Sequence, residues 1–132
     1  MASTIEEAIK TDLLAQTSVT TYVGNDIYLF DKSEQAGRNY IVITNPSHTR
    51  DMITQIGEKS GQSRLQFNCW SESIWTAKAT AEAILDVYRN RRGSIQGITV
   101  FNIEIGEARP LPGPRENRYL FEAVFWYFRP SS

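Results

Sequence analysis

A single stretch, Arg64 to Asn90, constrains this chain more than any other, because it changes hydrophobic period in the middle. Leu65, Phe67 and Cys69 alternate with Arg64, Gln66 and Asn68, the period of two expected of a half-buried strand. From Ile74 the spacing becomes three, four, three, four, through Ala77, Ala81, Ile84 and Tyr88, which places these residues on one stripe of a helix. Ser71-Glu72-Ser73 lies between the two patterns and offers N-cap hydroxyls and an early negative charge. Arg89, Arg91 and Arg92 fall near the expected carbonyl end, and Gly93 can stop the helix. A strand that feeds directly into an amphipathic helix requires the helix to pack back on a sheet.

The flanking elements follow from the same periodicities. Ser3 or Thr4 can cap a first helix with Glu6 and Glu7 in its first turn and Ile5, Ile9 and Leu13 on its apolar face. Val23-Gly24-Asn25-Asp26 reads as a turn, and Ile27 to Phe30 and Tyr40 to Thr44 read as strands. Thr49 to Arg64 is expected to form a long antiparallel hairpin. Arg64–Trp70 is its return arm, and Gly57 to Ser63 is a loop at a projecting tip. Ile98 to Ile105 should be a strand with Thr99, Phe101, Ile103 and Ile105 on one face. Pro110, Pro112, Gly113 and Pro114 make a stiff connection into an aromatic last strand, Tyr119 to Phe128. In that strand Tyr119, Phe121, Phe125 and Tyr127 face one way, and Leu120, Val124, Trp126 and Phe128 the other. Both faces therefore need cover, from the helices on one side and from the same chain or a neighbour on the other. The expectation is one small α+β domain over residues 1–132. Its mainly antiparallel sheet has four to five strands, with one N-terminal and one central helix packed on it.

Composition narrows the function classes. A formal net charge of −1 gives no global attraction to nucleic acid or an anionic membrane. No apolar run reaches the ~20 residues of a membrane span, and MASTIEEAIKTDLL is polar and periodic, unlike the apolar core of a secretion signal. With 1 cysteine the sequence excludes an intramolecular disulfide, and folding in a reducing compartment is the default.

Catalytic and metal patterns are sparse. Cys69 reads as a small core hydrophobe beside Phe67, and His48 as a turn residue. There is no Cys/His cluster with ligand spacing and no glycine-rich phosphate loop, so no metal or cofactor is expected. Glu122 is an acid inside an aromatic strand; pairing with an arginine within the sheet or across a subunit boundary is the plain reading, and a catalytic or ligand-binding role the alternative. Arg89, Arg91 and Arg92 could touch phosphates as a nucleic-acid module, but a helix C-terminus satisfied by arginines accounts for them. Trp70 on the polar side of its strand and Trp75 off the helical stripe suggest an aromatic patch of the kind that marks protein contacts. No enzyme is expected.

The order of motifs resembles a known family. A capped N-terminal helix, VGNDIY (Val23 to Tyr28), YIVIT (Tyr40 to Thr44), LQFNCW (Leu65 to Trp70) into an Ala-rich helix, IQGITV (Ile95 to Val100) and the terminal YLFEAVFWYF are similar to the tail completion family of long-tailed bacteriophages. These are the tail terminator, or tail-to-head joining, proteins. The similarity runs from about Ile5 to Phe128; Leu29 and Asn39 stand where the family pattern has prolines. The resemblance implies a virion protein that forms a hexameric ring on the head-proximal end of the tail tube. It ends tube growth and meets a connector or stopper protein, with DNA passing through the lumen without sequence-specific binding. Another neck or head–tail connector role is the alternative. In such a ring Arg50, Glu58, Lys59 and Arg64 on the hairpin would reach the lumen or the tube, and Trp70, Trp75, Arg89, Arg91, Arg92 and Glu122 would lie near subunit contacts.

Overall fold

The computed structural model describes residues 4–30, 39–45, 52–53, 58–89, 91, 93–113 and 116–130. The chain begins with α1 (Ile5–Leu14), capped by Thr4, whose Oγ1 accepts the Glu7 N–H at 3.1 Å. Ile5, Ala8, Ile9 and Leu13 form its buried stripe. A second helix, α2 (Thr17–Val23), follows after a break at Ala15 and Gln16. The sequence reading contains no such helix, because TSVTTYV is rich in β-branched residues that disfavour helix locally. Burial of Val19 and Val23 overrides that preference. Gly24, at φ +59, then turns the chain into β1 (Ile27–Leu29).

The sheet is built around two strands of 14 residues each, β4 (Glu58–Ser71) and β8 (Asn117–Pro130), paired antiparallel along their whole length. On one side of this pair lie β2 (Tyr40–Thr44), antiparallel to β4, and β1, parallel to β2. On the other side lie β6 (Ile98–Ile105), antiparallel to β8, and β5 (Gly93–Ile95), joined to β6 as a tight hairpin. The order is β1-β2-β4-β8-β6-β5; β3 (Met52–Ile53) adds to β4, and β7 (Arg109–Leu111) adds to β8. The α+β class and the mostly antiparallel sheet are as the sequence implies. Eight strands among the described residues exceed the expected four to five because β1, β3, β5 and β7 are only two or three residues long and leave little periodicity to read.

The helix α3 (Ile74–Tyr88) crosses the β4–β8 pair, and all three helices pack on one face of the sheet. Ala77, Ala81, Ile84 and Tyr88 are buried, as the stripe requires, together with Thr80 and Leu85. Phe67, Phe121, Phe125 and Tyr88 form the aromatic centre of the core, with Phe67 and Phe121 stacked at 5.0 Å and Tyr88 edge-on to Phe125 at 5.6 Å. Cys69 is fully buried among these apolar neighbours, which pushes its thiol pKa far up.

Three local expectations need correction. The return arm of the hairpin starts at Glu58, not Arg64: residues placed in a loop pair with Arg129, Phe128, Tyr127, Trp126 and Phe125 of β8, and a long partner strand overrides the loop-like composition. The tip, 54–57, lies outside the described residues. In β6 the register shifts between Val100 and Asn102, leaving Phe101 as the extra residue of a β-bulge. Inward parity therefore changes from Ile98 and Val100 before the bulge to Ile103 and Ile105 after it, and Phe101 faces away from the helices. At the start of α3, Ser73 is the N-cap but makes no side-chain cap bond. Ser71, the last residue of β4, instead accepts the Ser73 N–H at 3.1 Å and donates to Asn39 Oδ1 at 2.6 Å.

Candidate interaction surface

The face of the sheet opposite the helices carries the side chains that β2, β4 and β8 direct away from the core. Their positions follow from the register: Tyr40 lies beside Trp70 and Trp70 beside Arg118; Thr44 lies beside Gln66 and Gln66 beside Glu122. Strand alternation thus gathers residues from three distant segments into cross-strand rows.

At one end of this face the rows form an open groove of about 490 Å³. Its inner end is aromatic and charged. Tyr40 and Trp70 stack with ring centroids 6.0 Å apart, and the Arg118 guanidinium lies over the Trp70 ring at 5.1 Å. The Tyr40 hydroxyl donates to Glu116 Oε2 at 2.5 Å. Desolvation first, and then this bond and the nearby negative charge, hold the Tyr40 phenol well above its ordinary pKa. Asn68, nearly fully buried, donates to the Val42 carbonyl at 3.1 Å and accepts from Arg118 Nη1 at 3.4 Å. At the outer end Thr44 donates to Gln66 Oε1 at 3.3 Å, and Phe30 stands at the lip with 61% of its surface exposed. Phe30 reaches this position through a left-handed backbone, φ +69, fixed by its N–H bond to the Ile43 carbonyl at 2.8 Å.

Farther along the same face, Phe101 at the bulge stacks on Phe128 at 4.8 Å, with Val124 and Trp126 half-buried beside them. Phe101 is 44% exposed. The bulge thus brings a second aromatic patch to the helix-free face.

The residues singled out from sequence do not form one site. Trp70 is half-buried in the groove. Arg64 and Glu122 do meet, at 3.7 Å, but both are exposed enough for the pair to be worth only about 0–1 kcal/mol. Trp75 projects from the first turn of α3, 74% exposed, with Lys78 5.9 Å from its ring. The arginine cluster disperses. Arg91 forms a two-pronged pair with the nearly buried Asp12 (both bonds 2.8 Å), while Arg89 lies 3.5 Å from Asp86 in solvent. Arg50, Arg92 and His48 lie outside the described residues, as do the side chains of Glu58 and Lys59. Sequence reasoning missed Arg118, Glu116, Tyr40 and Phe30. Only the cross-strand register reveals their proximity, although Arg118, immediately preceding the aromatic run from Tyr119, was a usable signal.

Among the described residues no three His, Cys, Asp or Glu side chains cluster as metal ligands, and no helix is long and apolar enough to cross a membrane.

This arrangement is that of a small α+β domain with a long two-strand spine, helices on one face and an aromatic-rich opposite face. The same fold occurs in a chain of the virion of native gene transfer agent (GTA) particle: the two superpose with a TM-score of 0.70 over 94% of each chain, at 15% sequence identity. No family model matches the sequence, and no curated protein matches it.

Proposed function

We propose that this protein is a non-catalytic structural component of a phage-type virion. In this reading it assembles as a ring, of six copies by the family resemblance, on the head-proximal end of the tail tube, ends tube growth and joins the tail to the neck or connector. The observation that carries the proposal is the near full-length match in fold to a GTA virion chain. The order of sequence motifs from Ile5 to Phe128, similar to the tail completion family, supports the same role independently of that superposition. The surfaces suit assembly: an exposed Trp75 on the helical side and the exposed Phe101 on the opposite face are the kind of aromatic anchors that protein interfaces bury. Ring closure requires a head-to-tail contact between unlike surfaces, which two separated patches can supply.

Loss of the protein in a particle-producing host is the direct test. Negative-stain micrographs should show overlong tubes or tails without heads, and supplying the wild-type chain should restore joined particles. Tails of normal length attached to filled heads would refute the assignment. Purified protein mixed with tail tubes should decorate one end of each tube as a ring.

A further inference from the structure

The groove on the helix-free face contains a guanidinium that the fold positions but does not satisfy. The Arg118 guanidinium lies over the Trp70 ring, 5.1 Å from its centroid, and its one hydrogen bond among the described residues is the long 3.4 Å contact to Asn68. Its Nε is buried without an acceptor among the described residues, and no carboxylate there pairs with it. Glu116, the acid in the same groove, is engaged by the Tyr40 hydroxyl instead. A planar donor fork oriented by an aromatic ring, in a partly desolvated groove, is suited to a carboxylate.

We propose that this groove binds an extended segment of a partner polypeptide through one acidic side chain on Arg118. Phe30, 61% exposed at the opposite lip, supplies the second anchor, for an apolar side chain. Between the anchors the Gln66 amide, whose oxygen is taken by Thr44, keeps its N–H donors for a backbone carbonyl. Tyr40 and Thr44 on β2 mark the ends of the groove along the strands, about 13 Å apart. Arg118 on β8 and Phe30 after β1 are three strand spacings, about 14 Å, apart across them, so the anchors lie about 19 Å apart on the diagonal. The acidic and apolar side chains of the partner therefore stand about six positions apart on one face of the segment. A polyanion fits poorly, because Glu116 lies in the groove and Glu122 stands opposite Gln66 in the strand register, so single carboxylates are favoured over a run of phosphates. The proposal does not depend on the virion role.

The test uses the full chain, observing the Arg118 Nε–H and Trp70 indole N–H signals by NMR. The probes are acetyl-Glu-Thr-Val-Thr-Val-Thr-Leu-amide, its reversed sequence, their Gln counterparts, inorganic phosphate and a ten-nucleotide oligothymidylate. At least one Glu peptide should shift both signals saturably and bind at least tenfold more tightly than its Gln counterpart. Arg118→Gln should remove that preference; Phe30→Ser, at an exposed position that leaves folding intact, should weaken both peptides several-fold. No saturable shift with either Glu peptide, equal binding of Glu and Gln forms, or tighter binding of phosphate or oligothymidylate would each overturn the proposal. Should Arg118→Gln fail to fold, Arg118→Lys, which keeps the charge and loses the fork, must still lose at least half of the Glu preference.

Discussion

Replacing Asp12 with alanine should be among the most damaging single changes outside the apolar core. Asp12 sits in α1 with only 7% of its side chain exposed, accepts two bonds from Arg91 and one, at 2.9 Å, from the Tyr88 hydroxyl at the end of α3. Truncating one partner of a buried pair leaves the other charge poorly solvated and costs about 3–5 kcal/mol. Arg91 is 27% exposed and can recover some hydration, so the lower end, about 3 kcal/mol, is expected. For a chain of 132 residues total stability is roughly 7–20 kcal/mol, so the variant remains folded but loses a large fraction of its margin. At about 4 °C per kcal/mol for this size, the melting temperature should fall by about 12 °C. Urea unfolding should show a lower midpoint with an unchanged slope. The decisive comparison is the double variant Asp12→Leu/Arg91→Met placed in a Tyr88→Phe background, which leaves neither a charge nor the Tyr88 hydroxyl unpaired and should recover to within about 1 kcal/mol of that background. Additive losses in the double variant, or a loss below about 1 kcal/mol in Asp12→Ala, would show that the α1–α3 bridge contributes little.

Two further outcomes concern titration and reactivity. Tyr88, by desolvation first and then the Asp12 charge, and Tyr40, by desolvation and its bond to Glu116, are both held above the ordinary phenol pKa. Unfolded tyrosines ionise near pH ~10, so this stability should be complete below that pH and decline as pH rises beyond it. Absorbance titration should show a subset of the 6 tyrosines ionising only together with unfolding, and early titration of all six would contradict the burial of these two. Cys69, at 0% exposure with a raised pKa, should react with a thiol reagent only at the rate of global or local opening, and Cys69→Ser should cost about 1–3 kcal/mol by burying an unpaired hydroxyl. Rapid native-state labelling would place the thiol outside the core.

Residues that obey one period over a long run were legible in the sequence. The β4–α3 junction, the buried stripe of α3, the inward face of β4 and the two faces of β8 follow from spacing alone, because each element is long and half-buried. What escaped was decided by partners distant in sequence. Glu58 to Ser63 has loop composition and becomes strand only because β8 extends to pair with it; α2 has strand composition and becomes helix only through Val19 and Val23. A single bulge at Phe101 split the expected face of β6, keeping Ile103 and Ile105 inward but turning Thr99 and Phe101 away from the core. The groove was illegible for the same reason: Phe30, Tyr40, Trp70 and Arg118 are scattered along the chain, and only the register of three strands aligns them. Asn39 shows the cost of reading a position only against a family pattern. Where that pattern has proline, its side chain donates to the Tyr22 carbonyl at 3.2 Å and accepts from Ser71, fastening α2 to the end of β4.

The position of β8 bears on how the molecule folds. It is the last described element of the chain, yet it lies in the interior of the sheet, between β4 and β6, and among the described residues no other strand links the β1-β2-β4 half to the β6-β5 half. Until β8 inserts, each half presents an open strand edge and an incomplete apolar face, and neither holds the full aromatic centre supplied by Phe121 and Phe125. Folding is therefore expected to be cooperative and comparatively slow, since its decisive pairing joins segments far apart in sequence. During synthesis the chain has the open edges of an unfinished sheet until this strand leaves the ribosome, which makes that interval its period of greatest susceptibility to aggregation.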